Sequence, residues 1–552
     1  MALKPVNAVV VGAGAGGGVV AKELSEAGLS VVLLERGAWA TFEQHGHDEL
    51  ISQRITILGN AFGPDDERYR RVVSAGPGKW RVVLPSEGGY NNNAACVGSG
   101  TVSYGAMAWR FMEKDFRMRS TYGAVAGSTL EDWPISYSDL EPFYEKAEWE
   151  IGVAGDMSTN PFSPPRRKPY PMPPFPLNRE GEILQAAARK LGFHPFPVPM
   201  LRNSVPYAGR AACIKCRYCV GFACEVNAKC GTHNTVIPAA IATGNCEVRT
   251  HCVAKEIAVD DRGFARGVSY FDAEDREQFQ PADLVVVSAS ATETARLLLN
   301  SKSKLFPTGA GNRSDWVGRN LQGHAYAGAW GLFEQETFDD VGAGATIAIS
   351  DFNHGNPGLA GGAMLANEFI RLPYLFADKR PPGAPTWGKA HKDYQRQFYK
   401  RSIGVMGPVQ EIPVFEARVE ADPEVKDHWG IPVARISGHR HPHDIEISRF
   451  TSSKAELWLK EAGAIQTWTN VPGLGVSGGQ HQAGTCRMGN NPKTSVTNKH
   501  GQLHDIPNIF VADGSLHVTN GGFNPVLTIM ALSYWVGDYI RKNWKGPKSF
   551  RS

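Results

Sequence analysis

Residues 7–37, NAVVVGAGAGGGVVAKELSEAGLSVVLLERG, decide the fold. A β-branched run at Val9–Val11 leads into a glycine turn; about three turns of helix then stop at Gly28, and a second apolar run, Val31–Leu34, follows. This predicts strand, helix, strand. Gly12, Gly14 and Gly17 form G-x-G-x-x-G between the first strand and the helix, and Glu35 closes the second strand 18 residues beyond Gly17. Glycines allow the tight turn and close approach to a pyrophosphate, the helix N-terminus stabilises its charge, and a carboxylate at this distance accepts ribose hydroxyls. The same acid repels a 2′-phosphate, which argues against NADP. The motif alone does not separate NAD from FAD.

Outward from this unit, "DLVVVSASATETARLLLNS" at 283–301 repeats strand then helix, with a valine run suited to a strand buried on both faces. A second glycine cluster, "CVGSGTVSYGAMAWRF", occupies 96–111, and residues 41–95 read as covering loops. Ser138 is predicted to cap a helix with acidic residues in its first turn. The proline-dense stretch 160–177 reads as an extended surface or interdomain segment. Residues 325–475 mix short alternating runs with Gly and Pro turns, the pattern of an antiparallel sheet domain. "NIFVADGS" at 508–515 and the helix begun by "NPVLTIMAL" close the chain.

A chain of 552 residues exceeds what one core supports, so two interleaved domains are expected. A net charge of +3 gives no electrostatic case for nucleic acid or an anionic membrane. No apolar run is long enough to span a bilayer, and "MALKPVNAVVVGAG" enters a strand too soon for a secretory leader. The expected location is the cytoplasm, or the periplasm if a partner subunit carries the chain.

Five of the nine cysteines fall between Cys213 and Cys230. Cys213, Cys216, Cys219 and Cys224 make a C-x2-C-x2-C-x4-C array, one residue longer in its last gap than the C-x2-C-x2-C-x3-C iron-sulfur spacing, with Glu225 where a ferredoxin has Pro. Three readings stand: an iron-sulfur cluster, a structural zinc site without the usual long loop between Cys pairs, or cysteines that only brace the loop. The other cysteines read as small buried residues.

"GGQHQAGTCRMG" at 478–489 and "IFVADGSLHVTNGGFNPVLTIMAL" at 509–532, with "VGSGT" at 97–101, "DWPI" at 132–135 and "VGRNL" at 317–321, resemble the glucose-methanol-choline (GMC) flavin oxidoreductases in content and order. The resemblance implies FAD, and a Rossmann-like FAD-binding domain assembled from residues 1–40, 95–130, 205–325 and 476–552. A substrate domain on an antiparallel sheet, with covering loops, would take residues 41–94, 131–204 and 326–475. It implies His481 as the base for a substrate hydroxyl and Asn524 as a ligand of the same oxygen. It also places Gly98, Gly100 and Thr101 against the flavin and Asp513 beside the ribityl and phosphate region. Read alone, Asn524 followed by Pro is a helix start and Asp513 a strand-ending turn. His324 reads as structural, and His517 precedes Val518 where the family often has Pro.

The chain looks most like bacterial sugar and polyol dehydrogenase flavoproteins. That likeness implies oxidation of a sugar, glycoside or sugar acid, with electrons passed to an external acceptor and a small partner subunit alongside. It also implies a three-iron cluster, 3Fe-4S, drawn from Cys213, Cys219 and Cys224 with Cys216 the extra, while the ferredoxin-type spacing leaves a 4Fe-4S cluster on all four open. Oxidation of aromatic, long-chain or sterol alcohols, and a non-catalytic flavin electron-transfer subunit, are the rival readings.

Overall fold

The computed structural model describes all residues except 1–2, 51–61, 92–93, 369, 478, 480, 548 and 551–552. Its first sheet grows from the opening unit. Strand β1 (Val6–Val11) pairs in parallel with β2 (Val31–Leu34) on one side and with Glu277–Val287 on the other, in the register Val9 to Val32 and Val9 to Val285. Between β1 and β2 runs helix α1 (Ala15–Glu26), and Gly28 beyond it takes φ +83°. The strand Cys246–Arg249 adds to β2 in parallel. Strand 277–287 is shared: its last residues pair in parallel with Ile509–Val511, while its first half runs antiparallel to Ala265–Phe271, which pairs in turn with Val253–Val259. The closing helix, Val526–Asn543, packs on α1. Valines at 9, 10, 285 and 286 are fully buried, as a strand covered on both faces requires.

The second sheet is antiparallel and six-stranded, in the order 466–470, 325–332, 402–409, 365–367, 347–349, 196–197. The helix Pro442–Glu461 lies across it and buries Trp458. Residues 71–83 are a hairpin, Arg71–Gly76 with Lys79–Val83, where covering loop was expected. Alternation there is masked by Arg71, Lys79 and Arg81, and its partner strand Pro432–Ser437 lies far away in sequence. The helix at 137–147 is capped by Ser136, not Ser138: Ser136 Oγ accepts from Asp139 N at 3.2 Å, and Asp139 reaches back to Ser136 N at 2.8 Å. No helix among the described residues is long and apolar enough to cross a membrane.

Candidate active site

The ends of β1, β2 and strand 277–287 open onto a cavity of about 550 Å³, lined by Gly12, Gly14 and Glu35 at one end and by His481 and Asn524 at the other. At the first end the glycine turn is forced. Gly12 has φ +99°, and a Cβ there would lie 2.3 Å from Ser288 O; a Cβ on Gly17 would lie 1.9 Å from Gly12 O. Helix α1 carries no acidic residue in its first turn and no side-chain cap, so its first N–H groups are left for a ligand. Glu35 is buried, with Oε2 accepting from Ala13 N and Oε1 from Gly37 N, both at 3.0 Å. Burial raises its carboxyl above the ordinary range, and these N–H groups oppose the rise.

Gly100 and Thr101 also line the cavity, and a Cβ on Gly100 would meet nothing within 4 Å. Gly98, φ +94°, turns the chain beneath them against His233. Asp513 lines the cavity and ties two elements: it accepts from Ser290 N (3.0 Å) and Thr294 Oγ1 (2.6 Å) of the segment after strand 277–287, and from Ser515 N (2.8 Å). Its carboxyl is raised by burial, against those bonds. It therefore fills the turn role and the lining role together. A buried acid, a bare helix N-terminus and a glycine floor open to the cavity suit the ribose, pyrophosphate and ring of a flavin dinucleotide.

At the other end, Asn524 Oδ1 accepts from Trp109 Nε1 (3.1 Å) and its Nδ2 donates to Tyr326 OH (3.0 Å). His481 Nδ1 lies 2.8 Å from His324 Nδ1, and its ring packs 5.9 Å from that of Tyr326. Asn520 Nδ2 donates to His481 O at 2.8 Å. Tyr326, Met364, Asn367, Glu368, Lys379, Met406 and Asn470 complete the wall, mixing polar and apolar groups. His517 is not among the lining residues: it is buried against Phe111 and Trp133, bonds Asn520 Oδ1 at 2.9 Å, and burial lowers it to about 4. Tyr326 and Trp109 carried no sequence signal, since each meets Asn524 only through the fold. His324 did carry one, its place directly after "VGRNLQG", but nothing local ties it to His481. Gly478 and Gln480 of the motif lie outside the described residues.

The cysteine array adjoins this wall. Val220 lines the cavity, Gly221 N donates to Ser103 O at 2.7 Å, and Tyr104 OH donates to Cys230 O. The expected ligand set of Cys213, Cys216, Cys219 and Cys224 is not a preformed metal centre: among the described residues no group of three or more His, Cys, Asp or Glu is arranged to hold a metal ion. The chain between the first three turns through left-handed backbone at Lys215 and Arg217 (φ +58° and +66°). Burial raises the Cys216 thiol to about 11. Two cations are buried beside the array, Arg202 and Lys229. Among the described residues neither pairs with a carboxylate, and Arg202 Nη1 has no hydrogen-bond partner.

The description "GMC oxidoreductase" fits residues 133–326 and, for the C-terminal part, 413–533. The chain is 32% identical to 2-methyl-1,2-propanediol dehydrogenase of Mycolicibacterium austroafricanum, covering 98% of this chain and 95% of that one. The chain belongs to the GMC oxidoreductase family. As a GMC oxidoreductase it is an FAD-dependent enzyme acting on CH–OH donors, alcohols and sugars among them. It is also 28% identical to the gluconate 2-dehydrogenase flavoprotein of Pantoea cypripedii (99% and 95% covered) and 26% identical to the fructose dehydrogenase large subunit of Gluconobacter japonicus (98% and 98%). Its fold matches pyridoxine 4-oxidase from Mesorbium loti with a TM-score of 0.63 at 15% identity, over 98% of this chain and 99% of that one.

Proposed function

We propose that this GMC oxidoreductase oxidises a hydroxyl of a sugar, glycoside or sugar acid and passes the electrons to an external acceptor. The observation that carries the reading is one continuous cavity with the dinucleotide cradle at one end and His481, Asn524 and Tyr326 at the other. FAD, when bound, supplies the hydride acceptor. His481 takes the hydroxyl proton, as a neutral imidazole near working pH can. Asn524, held by Trp109 and Tyr326, places its amide at the substrate oxygen and so orients the C–H bond. Gly12, Gly14, Gly17 and Glu35 hold the adenosine diphosphate half, and Gly98, Gly100, Thr101 and Asp513 the flavin half.

Polyhydroxylated substrates are favoured over long-chain or sterol alcohols because the polar residues Glu368, Lys379 and Asn470 line the same cavity as the base, where they can meet substrate hydroxyls. The names of the relatives, a diol, a sugar and a sugar acid dehydrogenase, point the same way. The test is anaerobic bleaching of the flavin absorbance by gluconate, fructose, glucose, 2-methyl-1,2-propanediol and a long-chain alcohol. At least one polyhydroxylated compound is expected to bleach it within seconds and the long-chain alcohol is not; the reverse order overturns the substrate class, and no bleaching by any of them favours the electron-transfer subunit.

We assign the cysteine array to the second half of the cycle. Two buried cations lacking a carboxylate partner support an anionic iron-sulfur cluster on Cys213, Cys216, Cys219 and Cys224, which would draw the sulfurs together and compensate Arg202 and Lys229. Held there, such a cluster would supply one-electron transfer to an external acceptor. Iron and acid-labile sulfide in anaerobically purified protein, expected at about three or four iron atoms with about four sulfides per chain for a 3Fe-4S or 4Fe-4S cluster, check it. Zinc in their place makes the array a structural site, and no metal leaves the cysteines as loop braces.

A further inference from the structure

His324 ends the segment "VGRNLQGH" and precedes the strand Ala325–Leu332. It is 4% exposed and does not line the cavity, yet it meets the ring of His481, which does. The two rings meet edge to face, 5.0 Å apart and 80° inclined, with Nδ1 to Nδ1 at 2.8 Å. A nitrogen pair at this distance holds one proton, and the far side of His324 says which nitrogen carries it. His324 Nε2 lies 2.9 Å from Gly521 O, a carbonyl that can only accept. Nε2 therefore carries hydrogen, and a neutral imidazole has no second one to give. Nδ1 of His324 is the acceptor, Nδ1 of His481 the donor, and Nε2 of His481 is left with its lone pair.

We propose that His324 is a positioning residue: it accepts the Nδ1–H of His481 and so fixes the tautomer in which Nε2 is the base for the substrate hydroxyl. The inference rests on the assignment of His481 as base. After proton transfer His481 carries hydrogen on both nitrogens, and its Nδ1–H bond to His324 remains in place. The surroundings hold His324 still. The N–H groups of its neighbours Gly323 and Ala325 donate to the two oxygens of Glu411 (3.0 and 3.1 Å), itself paired with Arg440 at 2.7 Å. Asn520 Nδ2 bridges the backbone of both partners, reaching Gly323 O at 3.1 Å and His481 O at 2.8 Å. Burial keeps His324 below its ordinary pKa, against the pull of Glu411. A charged His324 would donate from Nδ1 and reverse the tautomer, so the burial favours the working arrangement.

The test compares His324→Leu with His324→Gln in anaerobic stopped-flow reduction of the bound flavin. Gln can donate its amide to Gly521 O and present its oxygen to His481. Leucine should lower the limiting rate by about a hundredfold or more, up to the roughly ten-thousandfold loss that a wrong tautomer causes in a histidine base, with the substrate dissociation constant within about threefold and FAD content unchanged. Glutamine should return to within about tenfold of the parent. Leucine at the parental rate, or glutamine as slow as leucine, overturns the proposal. A measurement that needs no variant is the 15N spectrum of the histidine-labelled holoenzyme: His481 Nδ1 should appear protonated and Nε2 not, and the opposite pattern also overturns it. If His481→Ala is slowed about a thousandfold while His324→Leu keeps the parental rate, the base assignment stands and only the positioning role falls; if His481→Ala bleaches at the parental rate, the base assignment itself has failed.

Discussion

His481→Ala is expected to slow substrate reduction of the bound flavin by about a thousandfold, within the range for removing a general base, while FAD stays bound. The separation of the two effects follows from the shape of the cavity. The proposed cradle is lined by Gly12, Gly14, Gly16, Glu35, Gly100, Thr101 and Asp513, none of which is His481's neighbour in sequence, and His481 lines the same cavity. What the variant loses is the acceptor for the hydroxyl proton. Without it, hydride departure must build a protonated carbonyl, so the loss appears in the reduction rate and only weakly in substrate binding. Added imidazole should restore part of the rate, because the truncated side chain leaves space beside Tyr326 and His324. Asn524→Ala should also slow reduction, by about tenfold to a hundredfold, and imidazole should not rescue it. Bleaching at the parental rate in His481→Ala would remove the base. Loss of FAD from that variant would show instead that the ring supports the cofactor site.

The GMC architecture was legible where chemistry and chain order coincide. The glycine motif, the Val9–Val11 run and Glu35 lie within one contiguous stretch, and the structure places them as strand, turn, helix and acid. His481 and Asn524 were legible through their motifs, and both line one cavity. What was not legible depends on long-range contact. Tyr326 meets Asn524 across 198 residues and His324 meets His481 across 157. No local pattern encodes such pairs, and a tyrosine in a strand alternates the same way whether it faces a core or a cavity. The hairpin at 71–83 was missed for a related reason: its partner strand is 432–437. The Ser138 assignment failed by two residues because Ser136 and Ser138 both precede Asp139, and only the backbone shows which one stands outside the helix. In the cysteine array, spacing gave the donor set but not the fold of the loop between donors, where Lys215 and Arg217 adopt a conformation their residue types do not announce.

Gly17→Ala and Gly100→Ala should both lose FAD, for opposite reasons that thermal unfolding of the FAD-free proteins separates. In Gly17→Ala the new methyl would sit 1.9 Å from Gly12 O, a backbone atom that cannot swing aside. Helix α1 must move off the turn that its own N-terminus completes, and the closing helix Val526–Asn543 packed on it must follow. The FAD-free variant should therefore unfold several degrees earlier, as a destabilisation of about 1–3 kcal/mol from overpacking implies for a chain of this size. Gly100 is the converse case. Its Cβ would meet no protein atom within 4 Å and would project into the cavity, so the FAD-free variant should melt with the parent. The methyl would occupy space the cofactor needs, and FAD affinity should fall by about a hundredfold, read as flavin retained after dialysis. A parental FAD content in Gly100→Ala would mean that the isoalloxazine does not rest on this glycine and that residues 98–101 only turn the chain. A parental melting temperature in Gly17→Ala would mean that the helix yields more readily than its contact with Gly12 allows.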